Sequence, residues 1–167
     1  MSNIQRDRYP GDLEERLAQA DRLDEAGDYA GSEEIYSHVI LQAPSLPFAY
    51  AKRGYARERQ KKYRSAAEDY SVAIAKKPDS PVTTWRRALC FEHLDRLEEA
   101  KADYRRYMEL KGPDAEALFA LSLINSFQRQ DREALNLCEQ AALLAPEDEV
   151  IQQRLERLRS AEYAQGV

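Results

Sequence analysis

The chain has 167 residues, 33% of them charged and 43% hydrophobic, which suits one domain with a real core and no need of covalent staples. Its 25 Lys and Arg stand against 30 Asp and Glu, and a net charge of −5 disfavours nucleic acid as a partner. The cysteines, Cys90 and Cys138, are too few and too far apart for a disulfide framework or a zinc cage; no apolar run matches a signal peptide or a membrane span, so a cytoplasmic protein without membrane insertion is expected.

In chain order, residues 1–12 read as a polar tail and 13–26 as a first helical stretch. The segment "DYAGSEEIYSHVILQAP" (28–44) follows. Stepping forward by 34 residues gives "KYRSAAEDYSVAIAKKP" (62–78), "RLEEAKADYRRYMELKG" (96–112) and "QDREALNLCEQAALLAP" (130–146), with no gap. One equivalent position is small (Ser32, Ala66, Ala100, Ala134). Four residues on it is Tyr36, Tyr70, Tyr104 or Cys138, and three further it is Val39, Ala73, Tyr107 or Ala141. That spacing puts the three positions on one helical face, where the small residue admits a neighbouring helix and the aromatic fills the space beside it. Pro44, Pro78, Gly112 and Pro146 then stop each helix. Further helical stretches at 48–60, 82–94 and 115–128 precede the later windows, so the unit is a helical hairpin repeated four times (13–46, 47–80, 81–114, 115–148). A helix at about 147–163 has an apolar side and many charges, as a capping helix requires, and 164–167 is a tail.

This pattern resembles the tetratricopeptide repeat (TPR) family, over about 13–146 plus the cap. The resemblance implies an all-α fold, a right-handed superhelical α-solenoid of helix-turn-helix hairpins. The first helices depart from the family pattern. Their fourth positions are Arg16, Tyr50, Thr84 and Leu118, only Gly54 supplies the family's glycine, and Arg57 and Asn125 occupy eleventh positions that are usually apolar.

Chemistry is sparse. His38 and His93 have no ligand-spaced companions, and no phosphate-binding loop or nucleophile motif occurs, so no catalytic residue, cofactor or metal is expected. Cys90 and Cys138 read as small buried apolar residues. In the family, the second, fifth, ninth, twelfth and thirteenth positions of the first helices face the concave groove. Carried over, these include Asp21 and Asp24 in the first repeat, Phe48, Ala51, Tyr55, Glu58 and Arg59 in the second, and Val82, Trp85, Leu89, Glu92 and His93 in the third. The fourth repeat supplies Glu116, Phe119, Leu123, Ser126 and Phe127. Tyr55, Trp85, Leu89, Phe119, Leu123 and Phe127 make an apolar stripe, while Lys52 and Arg86, at sixth positions, are placed to meet a carboxylate. The expected partner surface is therefore Lys52, Tyr55, Arg59, Trp85, Arg86, Leu89, His93, Phe119, Leu123 and Phe127.

The family's dicarboxylate clamp for chaperone tails is matched here by Arg86 alone among Leu17, Asp21, Lys52, Val82 and Arg86. Residues 12–34 carry nine acids against Arg16 and Arg22, and residues 51–64 carry seven bases against Glu58, an asymmetry that orients a ligand. What the resemblance implies is a non-catalytic protein–protein interaction module, an adaptor or co-chaperone-like protein that holds a peptide or helix with apolar anchors and acidic residues. Two alternatives stand beside it: a cytoplasmic chaperone for a secreted client, similar to type III secretion TPR chaperones, and a self-assembling scaffold that forms homo-oligomers.

Overall fold

A computed structural model of the protein describes residues 13–164; the expected tail at 1–12 and residues 165–167 lie outside them. The described residues are all helix and connection, with no strand. In order, the helices are α1 (Leu13–Glu25), α2 (Tyr29–Gln42), α3 (Pro47–Arg59), α4 (Tyr63–Lys76), α5 (Pro81–His93), α6 (Leu97–Lys111), α7 (Ala115–Phe127), α8 (Asp131–Leu144) and α9 (Glu149–Ala164).

Local chemistry explains where the helices begin and end. Pro47 and Pro81 occupy the first helical position of α3 and α5, where a missing N–H costs nothing. Asp28 caps α2 by accepting from the Gly31 N–H at 3.0 Å, and Asp114 caps α7 by accepting from Ala117 at 3.1 Å. Gly27, Lys61, Asp95 and Arg129, one per repeat and 34 residues apart, all have positive φ, at 78°, 61°, 57° and 61°. The next N–H then reaches back to an orphaned carbonyl: Asp28 to Leu23 at 2.8 Å, Lys62 to Arg57 at 2.9 Å and Gln130 to Asn125 at 2.8 Å. These three turns are thus left-handed caps closed by a six-to-one hydrogen bond.

The described residues form two compact units, divided between Asp95 and Arg96. In the first, α1 packs on α2, α2 on α3, α3 on α4 and α4 on α5, and α3 also touches α5. Tyr36 and Tyr70 are fully buried beside the small residues Ser32 and Ala66, as the periodicity requires. At Gly54 the side chain of Tyr70 from α4 lies against the α3 backbone, since a Cβ built there would stand 2.9 Å from Cε1 of Tyr70.

Arg57, at a position usually apolar in such repeats, has a clear role. Its Nε donates to Glu33 at 2.9 Å and its Nη1 to Asp69 at 2.9 Å, tying α2, α3 and α4 together. Arg53 adds two bonds to Asp69, at 2.9 and 2.7 Å, so the buried carboxylate is shared by two guanidinium groups. Glu33 also accepts from Lys62 and Gln60, each at 2.8 Å. Burial alone would raise the pKa of Glu33, but the bonds from Lys62, Arg57 and Gln60 outweigh it and hold it at about 2.

In the second unit α6 packs on α7, α7 on α8 and α8 on α9. Ile151 and Leu155 of α9 are buried while Arg157, Glu156 and Arg159 face solvent, so α9 closes this end with one apolar side. Asn125 is fully buried in α7, and neither atom of its amide finds a hydrogen-bond partner among the described residues.

Candidate functional site

Pro47 and Pro81 start α3 and α5 in the same register, so Phe48 and Val82 take the second position of each helix. Between these helices, over α4, lies a cleft of about 580 Å³. Phe48, Ala51, Lys52 and Tyr55 line it from α3, and Val82, Thr83 and Arg86 from α5. Tyr70 and Ala73 of α4 form the floor, and Lys77, just past the end of α4, stands on the rim. Phe48 is 43% and Val82 64% exposed, so the rim offers apolar surface to whatever enters.

Two ionic relays run beside this cleft, one per repeat. Tyr70 Oη donates to Glu58 Oε2 at 2.6 Å, and Arg86 Nη1 donates to both oxygens of Glu58, at 3.0 and 3.3 Å. One repeat earlier, Tyr36 Oη donates to Asp21 at 2.8 Å and to Asp24 at 3.2 Å, and Lys52 Nζ donates to Asp21 at 2.8 Å. Burial and the adjacent carboxylates push both phenols upward, so they remain donors. Burial works against the charge of Arg86, yet Glu58 raises its pKa and it stays a cation. Burial, and then the charge of Glu58, push the Cys90 thiol up to about 12. Cys138 is raised by burial too, so neither thiol is poised to react.

Lys52 and Arg86, expected to meet a partner's carboxylate, therefore already hold carboxylates of their own chain. Arg59 is engaged differently, with its guanidinium 5.0 Å from the ring centroid of Tyr29 and 5.9 Å from that of Tyr55. Arg86 lies 4.5 Å from the Tyr55 centroid, and the Tyr29 and Tyr55 rings meet edge to face at 6.0 Å. Tyr55 is thus a rigid, cation-flanked wall of the cleft.

Of the expected surface, the structure brings Lys52, Tyr55 and Arg86 to the cleft lining, while Arg59, Trp85, Leu89 and His93 lie on the same two helices outside that lining. Trp85 and Leu89 are half-buried, and His93 stacks on Tyr63 with centroids 4.0 Å apart. Phe119, Leu123 and Phe127 belong to the second unit. There Leu123 and Phe127 are 44% and 74% exposed on α7. Phe119 lines a separate cleft of about 490 Å³ with Glu116, Val150 and Ile151, in the same register as the first cleft but 68 residues further on. Sequence reasoning placed Phe48 and Val82 on the groove face without choosing them, and missed Lys77, whose sole signal is its place directly before the helix-ending Pro78.

The structure superposes on MamA (residues 41 to the end) from Desulfovibrio magneticus RS-1 with a TM-score of 0.83 at 16% identity, covering 91% of this chain and 86% of that one. It superposes on the first TPR domain of Spaghetti (RPAP3), solved with the HSP90 peptide SRMEEVD, with a TM-score of 0.65 at 27% identity, covering 71% of this chain and 96% of that one. The fold is that of a TPR protein. The TPR domain of Arabidopsis OM64 is a further neighbour, with a TM-score of 0.62 at 20% identity, covering 68% of this chain and 94% of that one. In sequence, sperm-associated antigen 1 of Mus musculus is 29% identical over 89 residues, which is 53% of this chain but only 10% of that protein. No family model matches the chain.

Proposed function

We propose that the protein is a non-catalytic interaction module that receives a short segment of a partner protein in the α3–α5 cleft. The observation that supports this is the cleft itself: walls of Phe48, Ala51, Tyr55 and Val82, partly open, held in shape by the Glu58–Arg86–Tyr70 relay. Such a site binds by inserting one large apolar side chain between rigid walls, and that anchor carries most of the affinity. The Spaghetti (RPAP3) domain, solved with a peptide, supports a co-chaperone-like reading at the level of peptide capture. The chaperone-tail clamp is disfavoured, since Lys52 and Arg86 are engaged by Asp21 and Glu58. Two free, buried cysteines fit a reducing, cytoplasmic setting.

The test is a selection of random displayed peptides on the full chain, followed by calorimetry of the enriched peptides on wild type and on Val82→Glu. Val82 is exposed, so the substitution leaves the core intact. The expected result is an apolar anchor common to the peptides and a loss of roughly tenfold or more in affinity on Val82→Glu. Equal affinity on both proteins contradicts the proposal. Sedimentation of both proteins over a concentration range separates the self-assembly reading: a wild-type oligomer dissolved by Val82→Glu makes the occupant a second copy.

A further inference from the structure

The cleft of the first unit has one charged group without a side-chain partner among the described residues. Three cations line it, Lys52, Lys77 and Arg86, and no carboxylate does. Asp21 holds Lys52 at 2.8 Å and Glu58 holds Arg86 at 3.0 Å. Lys77 has no side-chain hydrogen bond or ion pair among the described residues. From this, and resting on the receptor reading above, we infer that the partner segment is acidic: it seats an apolar side chain between Phe48 and Val82 and places a carboxylate beside it on the Lys77 ammonium.

The repeat provides its own control for that assignment. One repeat on, the equivalent lysine is Lys111, whose Nζ donates to Asp114 at 2.8 Å and to the Tyr107 hydroxyl at 2.7 Å. A lysine at this point of the repeat therefore serves the fold when an acid stands three residues later. At Lys77 the residue three later is Ser80, whose hydroxyl is joined to that of Thr83 at 2.8 Å. Among the described residues that scaffold partner is missing, and Lys77 lines the cleft instead.

The cationic rim is also not a consequence of repeat geometry. In the equivalent cleft of the second unit, Glu116 replaces Phe48, Asp148 replaces Ser80 and Ala145 replaces Lys77. Asp148 is occupied as a cap, accepting from the N–H groups of Val150 at 2.9 Å and Ile151 at 3.1 Å. The second cleft is thus lined by carboxylates and has no lysine at the position of Lys77, so the cationic lining is a property of the first cleft. An ammonium beside a partly dehydrated wall favours a carboxylate and penalises a second cation, which sets specificity and encounter rate more than total affinity.

The experiment is a parallel selection of random displayed peptides on the full chain as wild type, Lys77→Glu and Val82→Glu. The expected result is that wild type enriches peptides with Asp or Glu beside an apolar anchor, and Lys77→Glu enriches Lys or Arg at that place. Wild-type-selected peptides then lose roughly three- to tenfold in affinity on Lys77→Gln, and their binding weakens as salt rises. If wild type and Lys77→Glu enrich the same anchor with no charge preference, the Lys77 inference is overturned while the cleft remains a receptor. If no peptide distinguishes wild type from Val82→Glu, both the inference and the receptor reading fall.

Discussion

Glu33 gives the most quantitative handle on what holds the first unit together. It stands on α2 and accepts from Arg57 on α3, from Gln60 just after α3 and from Lys62 at the start of α4. Its pKa is held at about 2 against an ordinary 4.5, and its side chain is only 17% exposed. A folded-state pKa below the unfolded one means that the ionised form stabilises the fold, fully above pH 4.5 and not at all once pH has fallen through about 2. The full shift corresponds to about 3 kcal/mol, and because Lys62 is half exposed, screening reduces the expected value to about 1–2 kcal/mol. The perturbation is Glu33→Gln and the assay is urea unfolding of both proteins from pH 7 to pH 3. The stability gap is expected to be about 1–2 kcal/mol at pH 7 and to shrink to less than about half of that by pH 3. Comparing the two proteins at each pH cancels the other titrating carboxylates. A gap independent of pH refutes the reasoning, because it assigns the role of Glu33 to shape rather than charge.

Three further predictions concern the scaffold. Gly54→Ala drives a Cβ into the Tyr70 ring and is expected to cost about 1–3 kcal/mol in urea unfolding. Lys61→Gly and Arg129→Gly, both at left-handed turn positions, are expected to stabilise by about 0.5–1 kcal/mol each, seen as a raised urea midpoint. Asn125→Leu exchanges a buried, unpartnered amide for an apolar group of similar volume, and is expected to stabilise by about 1–2 kcal/mol with a higher melting temperature.

Much of the fold was legible because each element of the pattern has a local cause. A small residue, an aromatic four positions on and a terminal proline each act within one helix or one turn, so Ser32, Tyr36 and Pro44 could be read without knowing what packs where. The candidate site was legible only in part. Phe48, Val82 and Tyr55 follow from helical register, but the engagement of Lys52 by Asp21 and of Arg86 by Glu58 joins residues 31 and 28 positions apart, on helices whose contact the local pattern does not encode. Arg57 looked like a breach of the pattern for the same reason, since its partners Glu33 and Asp69 lie on two other helices. Lys77 was invisible because its significance is a missing partner, apparent only beside Lys111 and Asp114. Asn125 has no signal in sequence beyond its unusual identity at an apolar position.

The central claim is that the α3–α5 cleft receives a partner segment. Its most direct test is amide and methyl chemical-shift mapping of the full chain titrated with a peptide enriched on wild type. The account predicts that the largest shifts fall on Phe48, Ala51, Tyr55, Lys77, Val82 and Arg86. Shifts confined to the outer faces of α2 and α4, or to the second unit, contradict it.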